Sequence, residues 1–221
     1  MGESGLPAFD AVLVLLASYL AGSIPFAVVV SRAFGLPDPR SFGSGNPGAT
    51  NVLRSGNRVA ALITLVGDAS KGAVAVLLCR AIDGAMAGAP ALPAWAGAAA
   101  FVGHVYPLFL CFRGGKGVAT FLGTLLALVP IVGVATCMLW LGVAALFRYS
   151  SLASVVCAVC ASFSLMGIPS PPGVAPAVFV MSGFVLWRHR ANLANLIAGT
   201  ETKIGQRAQG KDSGETRAAG K

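Results

Sequence analysis

The sequence predicts an all-α integral membrane protein of about seven transmembrane helices, with its N-terminus outside and its C-terminus in the cytoplasm. Three observations lead to this fold class. Hydrophobic residues fill 56% of the 221 positions and charged residues only 11%, whereas soluble domains are about 45–50% apolar and about 25% charged. The mean hydropathy is +0.77. Apolar runs recur along the chain, and basic residues collect in alternate connections between them.

Each apolar run is a candidate helical span, and a span needs about 20 apolar residues. Several runs are shorter than this. Pro130 divides two short runs, which could form one broken, re-entrant element or two spans joined by a tight turn. The runs are 10–31, 59–82, 92–112, 117–129, 131–147, 151–168 and 173–187.

The basic residues set the orientation, because cytoplasmic loops carry an excess of Lys and Arg. With seven spans and an outside N-terminus, fourteen of the sixteen Lys and Arg residues lie inside, and only Lys71 and Arg80 do not. We expect residues 1–205 to form one transmembrane domain. Residues 206–221 are polar and aperiodic, so we expect a disordered cytoplasmic tail.

The inside segment 32–58 carries the run GSGNPG at 43–48. The spacing G-x-G-x-x-G indicates dinucleotide binding only after a β-strand, and here an apolar span precedes it. Closely spaced glycines still let backbone amides approach an anion, and an arginine suits phosphate. A flexible loop without a ligand is the alternative. The candidate binding residues are Ser44, Gly45, Asn46, Thr50, Asn51 and Arg54.

A second inside segment, Arg113-Gly114-Gly115-Lys116-Gly117, leads into the fourth apolar run, which begins at its last glycine. It is not a P-loop, because Leu110 stands where that pattern requires Gly and Gly117 where it requires Ser or Thr. A lysine among glycines at the start of a helix nevertheless suits an anion. The alternative is a topology signal, which would not need the glycines.

A third inside segment, WRHRAN at 187–192, contains His189 and Asn192. Residues three apart share one face of a helix. His189 could carry a proton near neutral pH or donate to phosphate. The alternative is an ordinary polar end of a helix.

Charged and polar residues also lie within the predicted spans. Asp68 and Lys71 are about ten residues into the second span, where charges are costly and rarely face lipid. At this spacing they can pair with each other. Together with His104 in the third span, they could line the same pocket or tie helices together.

The ordered set of motifs resembles the bacterial acyl-phosphate:glycerol-3-phosphate acyltransferases, the PlsY family. The resemblance extends from about residue 20 to 205. It is carried by GSIPFA at 22–27, GSGNPGATNVLR at 43–54, GDASKG at 67–72, GHVYPLFLCFRGGKGVAT at 103–120 and HRANL at 189–193.

The resemblance implies a seven-helix bacterial inner-membrane enzyme, and the three inside segments place its active site on the cytoplasmic side. Such an enzyme moves a fatty acyl group from acyl phosphate to the 1-position of glycerol 3-phosphate, giving lysophosphatidic acid and phosphate, the first step of phospholipid synthesis. It also implies that Gly114, Gly115 and Gly117 form a phosphate loop. The residues implied around the two phosphates are Ser44, Arg54, Lys116, His189 and Asn192.

The expected partners are the two substrates and the bilayer, with no nucleic acid and no obligatory protein. We expect no cofactor and no metal, because the sequence has no HExxH motif and no Asp-rich cluster. Neither histidine is followed five residues on by Asp, so the His–Asp pair of other glycerolipid acyltransferases is missing. The proton acceptor is His189 or a phosphate oxygen of the substrate, and the second is preferred. The alternative function is an organophosphate transporter, although the internal repeat common in transporters is not evident.

Overall fold

The computed structural model describes residues 8–83 and 89–206, which form ten α-helices and contain no β-strand. A short 3-10 turn, Leu108–Leu110, precedes the sixth helix. The helices are α1 Ala8–Gly22, α2 Phe26–Ala33, α3 Ala49–Leu53, α4 Arg58–Asp83, α5 Leu92–Val105, α6 Val118–Leu128, α7 Pro130–Phe147, α8 Ser150–Gly167, α9 Val174–Arg188 and α10 Arg190–Ile197.

Every predicted apolar run contains helix, which confirms the all-α class. Four segments are long and apolar enough to cross a membrane, and Val118–Leu128 and Val174–Arg188 are apolar but shorter. The count of seven spans therefore stays a prediction. The four segments are Phe9–Ala33, Arg58–Ile82, Pro130–Phe147 and Ser150–Gly167. Of the predicted tail 206–221, only Gln206 lies within the described residues.

Two predicted runs are not continuous helices. The first is interrupted between α1 and α2 at Ser23–Pro25, where proline has no N–H to donate. In the third run, α5 ends at Val105, because the residue before Pro107 is disfavoured in helical conformation. At Pro130 the structure has two helices, α6 and α7. Pro130 is the first residue of α7, a position where a missing N–H costs nothing.

Helix α5 lies in the middle of the bundle, packed against α1, α4, α6 and α9. Phe101 on α5, Phe121 and Leu125 on α6 and Met181 on α9 are fully buried in the main apolar core. Helices α4 and α6 approach closely: a Cβ on Gly123 would lie 2.0 Å from the Ala69 carbonyl oxygen. Small residues permit such close contacts between membrane helices. This packing places Asp68 and Lys71 beside α5.

Candidate functional site

The second and third predicted segments meet in the structure. The Lys116 Nζ atom donates a hydrogen bond of 2.5 Å to Oδ1 of Asn192. The Arg188 guanidinium donates to the carbonyl oxygens of Gly114, at 2.8 Å, and Gly115, at 3.3 Å. These bonds join residues more than 70 positions apart, from the start of α6 and the junction of α9 with α10.

The 32–58 segment reaches the same site through Arg54. This residue is half-buried at the end of α3, and its charge acts on both Lys116 and Glu201. Within the segment, Ser44 and Gly45 are exposed, whereas Asn46 and Thr50 are half-buried. Arg113 of the second segment is exposed.

Asn51 supports the loop that precedes it. Its side chain is buried, and Nδ2 donates to the carbonyl oxygens of Pro39, at 2.6 Å, and Phe42, at 3.1 Å. Its Oδ1 accepts the backbone N–H of Ser44 at 3.1 Å. Asn51 is among the predicted substrate-binding residues, and that prediction stands; the three contacts described here all lie within its own segment, so the side chain also braces the loop.

Lys116 is the central cation of the site. Its pKa is lowered from 10.5 to about 8, chiefly by burial; the charge of Glu201 opposes this shift, and the charges of Arg54 and Arg188 add to it. At neutral pH the side chain is therefore still mostly an ammonium. A partly desolvated cation interacts more strongly with an anion than a fully hydrated one does.

His189 lies at the junction of α9 and α10, so it and Asn192 are not in one continuous helix. Its side chain is buried, and its Nδ1 atom lies 2.8 Å from the Val185 carbonyl oxygen. Because a carbonyl only accepts, Nδ1 carries the proton and Nε2 is the acceptor nitrogen. Burial, followed by the charge of Lys116, lowers the pKa of His189 to about 4. The ring is therefore neutral at pH 7 and is a weak base.

The glycines of the second segment let the loop lie directly on the end of α5. The amides of Gly114 and Gly115 donate to the carbonyl oxygens of Val105, at 3.2 Å, and His104, at 3.1 Å. A Cβ on Gly115 would be 2.1 Å from Nε2 of His104. These two amides are thus used within the protein. The amides better placed for an anion follow Lys116 at the start of α6, where a helix leaves its first N–H groups unpaired.

Sequence reasoning missed Glu201. Its Oε1 atom accepts hydrogen bonds of 2.7 Å from both Asn192 Nδ2 and Ser151 Oγ. Glu201 therefore holds the amide that contacts Lys116 and balances the positive charge around it. One signal was available: it is the only acidic residue between Asp83 and Asp212, and it stands in a basic region. Arg188 lies in the third segment, beside His189, but its contact with the glycines cannot be predicted from the sequence.

The predicted Asp68–Lys71 pair is present, with 2.8 Å between Nζ and Oδ1. The Nδ1 atom of His104 lies 3.3 Å from the same Nζ atom. A small cleft connects these residues with Pro47, Gly114 and Gly115. Within residues 8–83 and 89–206, no three His, Cys, Asp or Glu side chains are grouped to hold a metal ion.

Comparisons with known proteins agree on one family. The family model described as glycerol-3-phosphate acyltransferase matches residues 12–199. Glycerol-3-phosphate acyltransferases of Burkholderia cenocepacia (strain HI2424) and Burkholderia vietnamiensis (strain G4) are 52% and 53% identical over 213 residues, which are 95% of this chain and 98% of theirs.

Two solved structures are similar over most of their length. Both are crystal structures of PlsY (YgiH), an integral membrane glycerol 3-phosphate acyltransferase. Its glycerol 3-phosphate form is 34% identical with a TM-score of 0.81, and its lysophosphatidic acid form is 33% identical with a TM-score of 0.80. Each comparison covers 89% of this chain and 96% of the other.

Proposed function

This chain belongs to the glycerol-3-phosphate acyltransferase family and is a membrane acyltransferase acting on glycerol 3-phosphate, and we propose that acyl phosphate is its acyl donor and the 1-hydroxyl its acceptor. The observation that carries this proposal is the position of Lys116. Its ammonium lies at the start of α6 between Asn192 and the charges of Arg54, Arg188 and Glu201. A dense cationic site suits two substrates that both carry phosphate.

Acyl phosphate also suits the chemistry of this site. A mixed anhydride is already activated, so no covalent Ser or Cys intermediate is needed. The acceptor oxygen attacks the carbonyl carbon, the bond from that carbon to the phosphate oxygen breaks, and the hydroxyl proton passes to a phosphate oxygen. Lys116 stabilises the charge that develops on the leaving phosphate. The products are lysophosphatidic acid and inorganic phosphate.

We infer that the proton goes to the substrate because His189 is poorly suited to accept it. Its Nδ1 proton is held by Val185, and its pKa of about 4 makes Nε2 a weak base. A general base works best with a pKa near the operating pH. His189 instead offers Nε2 as a fixed hydrogen-bond acceptor for a substrate hydroxyl.

Replacing His189 with Ala tests this assignment. We expect kcat at saturating substrate to fall less than about tenfold, because an obligatory general base contributes about 10²–10⁴-fold. KM for glycerol 3-phosphate should rise, since a hydrogen-bond partner is lost. Steady-state kinetics on folded protein measure both quantities. A hundredfold loss of kcat at unchanged KM would instead identify His189 as the base.

The pH dependence of kcat/KM tests the role of Lys116. Its pKa of about 8 means that the ammonium is present below pH 8 and is lost above it. We expect kcat/KM to decrease as the pH rises from 7 to 9.5. Phosphate monoesters have their second pKa near about 6, so the ionisation of glycerol 3-phosphate does not change in this range.

Two variants serve as controls for that profile. Lys116→Arg should give a flat profile, because arginine does not titrate below about pH 12. Glu201→Gln keeps an acceptor for Ser151 and Asn192 but removes the charge that raises the pKa of Lys116, so the decrease should begin at lower pH. A wild-type profile that is flat up to pH 9.5 would contradict this role.

The topology that we propose has seven spans, an outside N-terminus, and the active site on the cytoplasmic face of the bacterial inner membrane. The charge distribution supports it, because fourteen of sixteen basic residues then lie inside. Cys111, exposed beside the glycine loop, is a natural probe in a background lacking the other cysteines. A membrane-impermeant thiol reagent should label it in inside-out vesicles and not in intact spheroplasts. The reverse labelling pattern would invert the topology.

The donor is tested directly with purified protein, palmitoyl phosphate and glycerol 3-phosphate, by measuring phosphate release and lysophosphatidic acid. Palmitoyl-CoA is the comparison donor. Equal amounts of phosphate and lysophosphatidic acid, formed from palmitoyl phosphate alone, are the expected result. Product formed only from palmitoyl-CoA would overturn the donor assignment. The relatives are named acyltransferases, so the comparisons give the transporter alternative no support.

A further inference from the structure

Three polar residues form a buried cluster that the proposed reaction leaves without a role. Asp68, Lys71 and His104 are 2%, 6% and 7% exposed. Oδ1 of Asp68 lies 2.8 Å from Lys71 Nζ and 3.4 Å from His104 Nδ1. Burying an ion pair is costly because both ions lose their hydration, and well-packed apolar residues often serve equally well for stability. A cluster of this kind at this position therefore calls for a function beyond joining two helices.

The imidazole of His104 connects the cluster to the glycine loop. When Nδ1 accepts a hydrogen bond from Lys71, the ring proton lies on Nε2. This nitrogen faces Gly115: a Cβ on Gly115 would meet Nε2 at 2.1 Å, and its three nearest atoms would all belong to this ring. The His104 carbonyl also accepts the Gly115 amide. The ring thus forms the surface on which the loop rests.

Further contacts connect the loop with the buried cluster and with Arg188. Beyond Lys116, Thr120 Oγ1 donates to the Asp68 carbonyl oxygen at 2.8 Å. The Gly114 and Gly115 carbonyl oxygens hold the guanidinium of Arg188, whose charge acts on Lys116. The loop is therefore fixed to the cluster before and after Lys116. A shift of His104 would therefore move Lys116 and Arg188 together.

We propose that Asp68, Lys71 and His104 are positioning residues. They set the position of the Gly114–Gly115 turn relative to the end of α5 and thereby place Lys116 and Arg188 to bind phosphate. This inference rests on the proposed function and deepens it. The cluster makes no contact with substrate in this role. It acts through the turn, and it affects the positions of the two cations relative to a bound phosphate group.

Kinetics of His104 variants test the proposal. In His104→Ala, we expect KM for at least one phosphate substrate to rise about 10–100-fold, because a displacement of about 1 Å in a site can cost 10²-fold. His104→Asn retains a polar atom near the Nδ1 position and should recover part of this loss. A merely structural role would lower the folded fraction, and with it the apparent kcat, at unchanged KM. Unchanged KM for both substrates overturns the proposal.

A double-mutant cycle tests the contact itself. Gly115→Ala should be severely impaired in the wild-type background, because its methyl group collides with the imidazole. In the His104→Ala background that space is free, so the double variant should be clearly more active than independent effects predict. If the loss of activity in the double variant equals the product of the two single losses to within twofold, the proposal is overturned. Gly142→Ala, where a Cβ would meet nothing within 4 Å, is the matched control.

A double charge-removing variant and a binding measurement test the same proposal independently. If His104→Ala folds poorly, the neutral pair Asp68→Asn with Lys71→Met removes both charges and should raise KM in the same way. The affinity for glycerol 3-phosphate, measured by calorimetry, separates the two proposals. If the wild-type protein binds glycerol 3-phosphate but forms no product from palmitoyl phosphate, the donor assignment is refuted. Weaker binding of glycerol 3-phosphate by the His104 variants would still support the positioning role.

Discussion

Replacing Lys116 with Gln is expected to lower kcat/KM by about a thousandfold, the largest effect on activity that we expect from one side chain. Gln can still donate to Asn192, so the change removes the charge while keeping a hydrogen bond. The loss should appear in kcat, because charge on the leaving phosphate increases towards the transition state. Steady-state kinetics with palmitoyl phosphate and glycerol 3-phosphate measure it.

Arg190→Gln is the matched control for Lys116→Gln. Arg190 is exposed, and its guanidinium lies 4.4 Å from the centroid of the Trp187 ring. Like Lys116→Gln, this substitution deletes one positive charge, but it does so at an exposed side chain of the third segment. We expect less than about a threefold change, because exposed charges are strongly screened. Similar losses in both variants would show that general positive charge, and not the position of Lys116, drives the reaction.

Replacing Gly117 with Ala is expected to have the largest effect on stability. Gly117 has φ of +85°, and its Cβ would lie 2.2 Å from Cε2 of Phe101, which is fully buried in the main core. The left-handed conformation costs an L-residue about 1–2 kcal/mol, and overpacking a core costs about 1–3 kcal/mol. We expect a loss of about 3 kcal/mol, seen as a lower Tm in detergent.

Activity per folded molecule should also fall in Gly117→Ala, because Lys116 is the adjacent residue and moves with the backbone. Gly183→Ala on α9 is the control, since a Cβ there would meet nothing within 4 Å. Adding Phe101→Leu to Gly117→Ala should recover part of the Tm by making room for the methyl group. If Gly117→Ala unfolds at the same temperature as Gly183→Ala, the contact between the new methyl group and Phe101 does not destabilise the protein.

Several features of the site depend on contacts that no local pattern predicts. Glu201 acts on Lys116, 85 positions earlier, and is held by Ser151, 50 positions earlier. The same applies to Arg188, which contacts glycines more than 70 positions away. Asn51 stands in a motif suited to ligand binding, and its three bonds lie within its own loop. Composition and spacing show which side chains are available, whereas packing decides which partner each one meets.

The sequence by itself determined the helical membrane class, because the bilayer interior leaves backbone groups no solvent partner and apolar spans must therefore be helices. It also determined the three polar segments and the pairing of Asp68 with Lys71, since spacing along one helix is enough for such a pair. Only the tertiary structure decided how the glycines are used. Their value lies in the close approach of Gly115 to His104 and of Gly117 to Phe101, both on α5, and this proximity arises only when the loop before α6 packs on α5.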